Sequence, residues 1–531
     1  MVKKFRFFYR LLFAVVRKEW KKIFLTLFGL SLIAFFVLFL SNPALTFFNN
    51  TTGKIIKPVY VEAIVGKPTT FNPLFSKTEA EKEINSLVFR GLMKIAPDGT
   101  PEVDLADHYE ITDGTKYTFY LKKNIYWQDG TKFTADDVVY TIQTGQNSLY
   151  NSEIEETFQN VDVSKKDDYT VVFSLKEPFS PFLSALTVGI IPKHIPLTNY
   201  RPIGTGEFHF VDIQEAFAVL EGNKIRIKFQ YYPTTETAEA AVKLGQVHGL
   251  SNYWSNGNTF KNWQNFQVKV ASLAYQEVIA FFNLNNDIFK DKTVRQALAY
   301  ATPKEQILTN TFGKKGIMAY NSLPNLPIYQ TNAAEKYPYN LDKANTILNS
   351  AGWVLKDNIR YKDNKKLAFT ITTIDDPEFE DSAIKMRDSF KKVGADVEVV
   401  IVSGNDLKNQ IVPNRDFSVL ITSQLLGTDP DQYVLWDTTQ VKYSNISGIA
   451  TAKIDKLLED GRKTSDPKVR ADRYQEFTRI LLDEAPAVFL YYPRYVWLVS
   501  NRIQNIDLKD FRSPEDRFEN IDSWTISKPL I

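Results

Sequence analysis

From Tyr117 to Ile142 the chain reads YTFYLKKNIYWQDGTKFTADDVVYTI, and the backbone periodicity has to change within that stretch. Tyr117, Phe119 and Leu121 alternate with Thr118, Tyr120 and Lys122, as in a half-buried strand. Asp129-Gly130 follows as a tight turn, because glycine tolerates the positive φ such turns need. Thr134-Ala135-Asp136-Asp137 then has the form of a capping box, with Thr accepting from the third helical amide and Asp137 reaching back, ahead of the apolar Val138-Val139. Strand, turn and capped helix in one run point to a mixed α/β fold.

The rest of the chain repeats that alternation. Strands are expected at Val59–Val65, Thr170–Leu175, Arg226–Tyr231, Glu277–Asn283, Ala368–Ile374, Val397–Val402 and Phe417–Thr422. Thr302-Pro303-Lys304-Glu305 has the order N-cap, first-turn proline, acid, and so should open a helix. Before it, Val294, Ala297, Leu298 and Ala301 share one buried helical face. Asn340 should cap a helix ended by Gly352, and Asp466-Pro467 should open another.

At 531 residues the chain exceeds what one core organises, so two or three domains are expected. Phe, Tyr and Trp make up 14 %, enough for a broad aromatic cleft, although core and sheet positions are the better account of any single one. With no cysteine, disulfides, thiolate metal sites, a cysteine nucleophile and an N-terminal lipid-bearing Cys are excluded.

The net charge of +2 hides an asymmetry. Lys3, Lys4, Arg6, Arg10, Arg17, Lys18, Lys21 and Lys22 against Glu19 give residues 1–22 a charge of +7, so the remainder carries −5. A mildly acidic body gives no electrostatic support for nucleic-acid binding. Ile23–Leu40 contains no charge and, as a helix, would span about 27 Å, near the thickness of a bilayer core. The basic flank keeps residues 1–22 cytoplasmic and exports the body to the periplasm or cell surface. The expectation is a single-pass transmembrane helix at 23–40 and a turn-rich linker at 41–57. A cleaved signal segment is the rival reading, weakened by the long basic region and the lack of an A-x-A site.

The Trp127-Gln128-Asp129-Gly130 run, continued by Phe133, Ala135 and Asp137-Val138, resembles the W-x-DG-x-x-(F/L)-x-A-x-DV signature of the extracytoplasmic solute-binding proteins, family 5, of peptide and nickel ABC importers. Other elements resemble that family in its order. They are Phe71-Asn72-Pro73-Leu74, Val88-Phe89-Arg90-Gly91-Leu92, Ile191-Pro192-Lys193-His194, Pro202-Ile203-Gly204-Thr205-Gly206, Phe282-Asn283, Val294-Arg295-Gln296-Ala297-Leu298, Ala351-Gly352-Trp353, Asp429-Pro430-Asp431 and Ala485-Pro486. Arg90 stands where the family usually has an acid.

The resemblance implies a two-lobed periplasmic-binding-protein-like fold (type II), with an extra domain inserted in lobe I. On this mapping lobe I comprises 58–92, 202–283 and 489–531, the inserted domain 93–201, and lobe II 284–488. It also implies that ligand is enclosed between lobes that close by hinge motion. The implied partners are a peptide or similar small solute, with ABC permease and ATPase subunits; the protein is expected to be a monomer.

No P-loop, H-E-x-x-H, G-x-S-x-G or G-x-G-x-x-G occurs, and His108, His194, His209 and His248 are scattered. No catalytic residue, metal site or cofactor is therefore expected. Candidate ligand contacts near the hinge and facing loops are Asn72, Ser251, Trp254, Asn283, Gln424, Asp429, Tyr433 and Trp436. Trp254, Tyr433 and Trp436 would stack on a ligand or simply pack the lobes. Trp127 and Asp129 are better read as scaffold of the inserted domain. Peptide-binding relatives hold the peptide's ammonium with an Asp that aligns here with Leu426. Either Asp429 or Asp431 substitutes, or the ligand is not anchored by its N-terminus. A sensor or chaperone on the same fold, a sugar or metal chelate as ligand, and an extracellular hydrolase are the competing functional readings.

Overall fold

The computed structural model describes residues 57–251, 263–312, 316–324, 335–508 and 513–527. The chain divides into two compact units, Met1–Pro58 and Val59–Ile531, and the description below concerns the second. The apolar run 23–40, the linker to residue 56 and Trp254 lie outside the described residues. Among the described residues no helix is long and apolar enough to cross a membrane.

Three sheets carry the architecture. A seven-stranded sheet runs in the order Phe266–Ser272, Arg494–Ser500, Gly249–Leu250, Val59–Val65, Arg226–Tyr232, Phe217–Glu221, His209–Ile213. Val59–Val65 is parallel to both Arg226–Tyr232 and Gly249–Leu250, the latter reached through the helix Thr235–Lys243. A six-stranded sheet is ordered Ile317–Met318, Ala487–Tyr492, Gln276–Phe282, Val419–Leu425, Ala368–Ile374, Asp396–Val402. Between residues 93 and 201 the chain forms a separate four-stranded antiparallel sheet, Ala106–Thr112, Lys116–Leu121, Thr170–Leu175 and Val161–Asp167. The six-stranded sheet is thus inserted whole between Phe266–Ser272 and Arg494–Ser500 of the seven-stranded one, as in a two-lobed α/β fold.

The crossings differ from the expected boundaries. Gln276–Phe282 pairs with Val419–Leu425 and with Ala487–Tyr492, so both 276–282 and 487–492 belong to the six-stranded sheet. The chain therefore crosses at 273–275 and at Pro493 rather than at 283 and 489. Composition could not reveal this, since both strands are apolar and continue directly into strands of the other sheet. Leu273 N donates to Pro493 O at 3.0 Å, tying the two crossings together.

Most expected elements form where periodicity placed them, because their apolar faces reach a core. Val294, Ala297, Leu298 and Ala301 are all fully buried. Asn340 accepts from Lys343 N at 2.8 Å, Gly352 ends that helix region at φ +83°, and Asp466 caps Pro467–Glu484. Two expectations shift. The strand read as 417–422 pairs over Val419–Leu425. Thr302 spends its hydroxyl on Leu298 O at 2.9 Å, closing the preceding helix instead of capping the next one, which begins at Lys304.

The family-like motifs are mostly structural fastenings. Trp127 Nε1 donates to Asp137 Oδ2 at 3.3 Å, and the same oxygen accepts from Thr134 N at 2.9 Å, completing the capping box. Arg295, only 3 % exposed, donates to the carbonyls of Phe289, Glu484 and Ala485, which pins the turn before Pro486. A Cβ on Gly204 would lie 1.8 Å from Val88 O, so the backbones touch there and only glycine fits.

Candidate functional site

Parallel strands end in a crevice where exposed backbone groups and loop side chains converge, the usual place for a ligand in open α/β sheets. At the carboxyl ends of Val59–Val65 and Gly249–Leu250 there is a cavity of about 260 Å³. Val65, Glu79, Glu83, Thr235, Leu250 and Ser251 line it. The helix Glu79–Val88 supplies its two acids, placed by a capping box between Thr78 and Glu81.

Behind this cavity lies a buried ionic cluster. Arg517, fully buried, reaches Glu83 at 2.6 Å and Glu62 at 3.3 Å. Tyr60 donates its hydroxyl to Glu62, and Tyr495 donates to Glu83 at 3.5 Å. Burial raises the Glu62 carboxyl, with Arg517 pulling the other way. Glu79 is pushed up to about 7, first by burial of its carboxyl and then by the charge of Glu83. Among the described residues the cavity wall is therefore acidic, with Glu62, Glu79 and Glu83 gathered around the Arg517 guanidinium. That balance suits a ligand carrying positive or hydrogen-bond-donating groups.

A second cavity, about 760 Å³, opens between residues 156–179, around the four-stranded sheet, and residues 431–463 of the six-stranded lobe. Leu175, Lys176 and Phe179 face Asp431, Tyr433 and Arg462 across it. The Arg462 guanidinium lies over the rings of Tyr433 and Phe179, at 4.1 and 5.0 Å, and Arg462 Nε is 3.0 Å from Asp431 Oδ2. Ser180 N donates to Arg462 O at 2.7 Å. Burial pushes Asp431 up to about 6 despite the nearby Arg462.

The eight sequence candidates fall in different places. Ser251 lines the acidic cavity. Tyr433 lines the interdomain one, its hydroxyl 3.0 Å from Thr439 Oγ1. Gln424 sits across the ladder from Glu277, at the edge of the six-stranded sheet nearest the crossing. Asp429 is held by Arg470, with Nη1 donating to Oδ2 at 2.8 Å, and it also accepts from Asp431 N.

Three candidates are engaged in packing. Asn72 caps Pro73–Phe75, accepting from Leu74 N at 3.0 Å. Asn283 donates to Arg415 O and Phe417 O at 3.1 and 2.9 Å. Trp436, fully buried, packs against Phe281 and Phe489. Leu426 is likewise core, 4 % exposed.

Glu62, Glu79, Glu83, Arg462, Arg517 and Glu277 were not singled out from sequence. Glu79 and Glu83 could have been noticed as acids on one face of a capped helix. The others declare themselves only through burial. Among the described residues no group of three or more His, Asp or Glu side chains is placed to hold a metal ion.

The profile of the bacterial extracellular solute-binding proteins, family 5 (middle region), matches residues 100–445. The chain is 30 % identical over 499 residues to the oligopeptide-binding protein AppA of Bacillus subtilis, covering 87 % of this chain and 91 % of that one. A Brucella ovis protein described as an ABC transporter peptide-binding protein is 25 % identical over 438 residues, 76 % of this chain and 81 % of its own length. The solved structure of the oligopeptide-binding protein AppA of Bacillus subtilis with a nonapeptide matches at a TM-score of 0.69 and 29 % identity, covering 90 % of this chain and all of the other. NikZ of Campylobacter jejuni, solved with Ni(L-His), matches at 0.72 and 26 %, covering 89 % of this chain and all of the other. The chain belongs to family 5 of the bacterial extracellular solute-binding proteins.

Proposed function

We propose that this protein is the ligand-capturing component of an ABC importer, taking up peptides or a similar solute between its two lobes. It binds and does not turn over its ligand. The observation that carries this reading is the acidic cavity at the carboxyl ends of the parallel strands, in a chain whose similar relatives include an oligopeptide-binding protein. The lobes are read as 59–92 with 202–272 and 493–527, and as 276–492, with 93–201 as the inserted domain. Ile23–Leu40 acts as the membrane tether, standing in for the lipid anchor that a chain without cysteine cannot carry. The body works as an extracytoplasmic monomer that presents closed, loaded lobes to the permease.

Thermal unfolding of the purified full-length chain tests this. A mixed peptide library at about a hundredfold over its dissociation constant should add roughly 2.7 kcal/mol of stability, a shift of several degrees. Stabilisation by a sugar or a nickel–histidine chelate, with none by peptides, would discard the peptide assignment.

A further inference from the structure

Glu277 is fully buried, and neither of its carboxyl oxygens has a hydrogen-bond partner among the described residues. Buried polar groups are almost always hydrogen-bonded, because desolvation without a replacement partner is costly. The surroundings do not relieve Glu277. Lys304 is the charged group whose field reaches it, but the Lys304 ammonium is paired with Glu335 at 2.6 Å and lies over the Tyr320 ring. Tyr492 is near enough to feel the Glu277 charge, yet its hydroxyl donates to Leu323 O at 2.8 Å. Ser322, beside Leu323, is also fully buried, and among the described residues its hydroxyl too lacks a partner.

The position of Glu277 matters as much as its isolation. It follows the crossing segment 273–275 by two residues and lies across the ladder from Gln424. Alternation along the strand puts it on the face of Ile279 and Phe281, the face that packs Leu426 and Trp436. It therefore sits where the six-stranded lobe meets the hinge, and domain opening acts on its surroundings. The two acids of the nearby loop are already engaged, Asp429 by Arg470 and Asp431 by Arg462.

We propose that Glu277 is the anchor for a cationic group of the ligand, an ammonium or guanidinium enclosed as the lobes close. This rests on the peptide reading above, in which the cation is either the peptide's α-ammonium or a basic side chain. Without ligand, burial disfavours the charged carboxylate, with Lys304 pulling the other way; with ligand it is ionised and paired.

Four random pentapeptide libraries separate the sources: free or N-acetylated, each made with or without Lys and Arg. Calorimetry is run on the full-length wild type, on Glu277→Gln, and on Glu277→Met, which removes the polar group at similar volume. The expected result is that wild type loses roughly ten- to a hundredfold in affinity when the relevant cation is removed. Loss on acetylation identifies the α-ammonium, and loss on omitting Lys and Arg identifies the side chain. Both variants should bind all libraries alike, at the reduced level, with unliganded melting temperatures at or above wild type. Variants that keep the wild-type preference, or a wild type indifferent to all cations, overturn the anchor while leaving peptide binding intact. A wild type that binds none of the libraries overturns both.

Discussion

Asp429 and Arg470 form a two-pronged ion pair, each 14 % exposed, across the loop that carries the Asp-Pro-Asp element. Both carboxylate oxygens are occupied, so Asp429 has little left to offer a ligand. Arg470→Met leaves a largely buried carboxylate uncompensated and should cost about 2–3 kcal/mol in urea denaturation. Asp429→Asn, with a folded protein, should change ligand affinity by no more than a few-fold. A folded Asp429→Asn protein that binds nothing would return Asp429 to the ligand site.

Among the described residues Arg517 is the guanidinium paired with Glu62 and Glu83 in the core of the seven-stranded lobe, with all three side chains almost wholly buried. Deleting the cation strands two carboxylates where water cannot reach them. Arg517→Met should lose about 3–5 kcal/mol at neutral pH. Protonation of the acids removes that uncompensated charge, so the gap to wild type should narrow as pH falls. A deficit that is flat with pH would mean the loss comes from packing alone.

The sheets and capped helices were legible because period and cap chemistry are local. The motifs were legible as strings, but their meaning was not. Gly204 in the Pro202–Gly206 run is fixed by the backbone of Val88, more than a hundred residues earlier, and Arg295 by the carbonyls at Glu484 and Ala485. Asn72, Asn283 and Trp436 suit a cleft by residue type, and the fold uses them as a cap, a backbone staple and a ring packed among other rings, roles the string does not reveal. The acids of the candidate cavity were invisible for a different reason. Glu62 looks like any strand carboxylate until Arg517, at the far end of the chain, is folded against it.

Glu81 should show the opposite pH behaviour to the buried cavity acids. Burial pushes its carboxyl up, but the Thr69 hydroxyl and the amides of Thr78, Thr69 and Lys77 outweigh that and hold it at about 2. A depressed carboxyl contributes stability that is present above its unfolded value near 4.5 and is lost as pH falls toward 2. Glu81→Gln should therefore cost about 1–2 kcal/mol at pH 7 and almost nothing at pH 2. Chemical denaturation at the two pH values checks it, and an equal deficit at both would rule out the charge as the source.

On the proposed closure of the two lobes, Arg462 joins parts of the molecule that separate on opening. Its guanidinium lies over Phe179 from the 93–201 domain and over Tyr433 from the six-stranded lobe, while pairing with Asp431. The backbone bond from Ser180 to Arg462 would survive truncation of the side chain, so Arg462→Ala removes only the ring contacts and the ion pair. Those contacts are worth about 1–2 kcal/mol when partly desolvated, and all of it favours the closed arrangement. A ligand that binds the closed form then loses roughly five- to thirtyfold in affinity, with the loss in the closing equilibrium and not in the ligand contacts. The chain has no cysteine, so Lys166→Cys and Lys456→Cys on exposed positions of the two parts give unambiguous label sites. Energy transfer between them should fall in Arg462→Ala without ligand and return to the wild-type value at saturating ligand. Unchanged transfer in the unliganded variant would remove Arg462 from the closing mechanism.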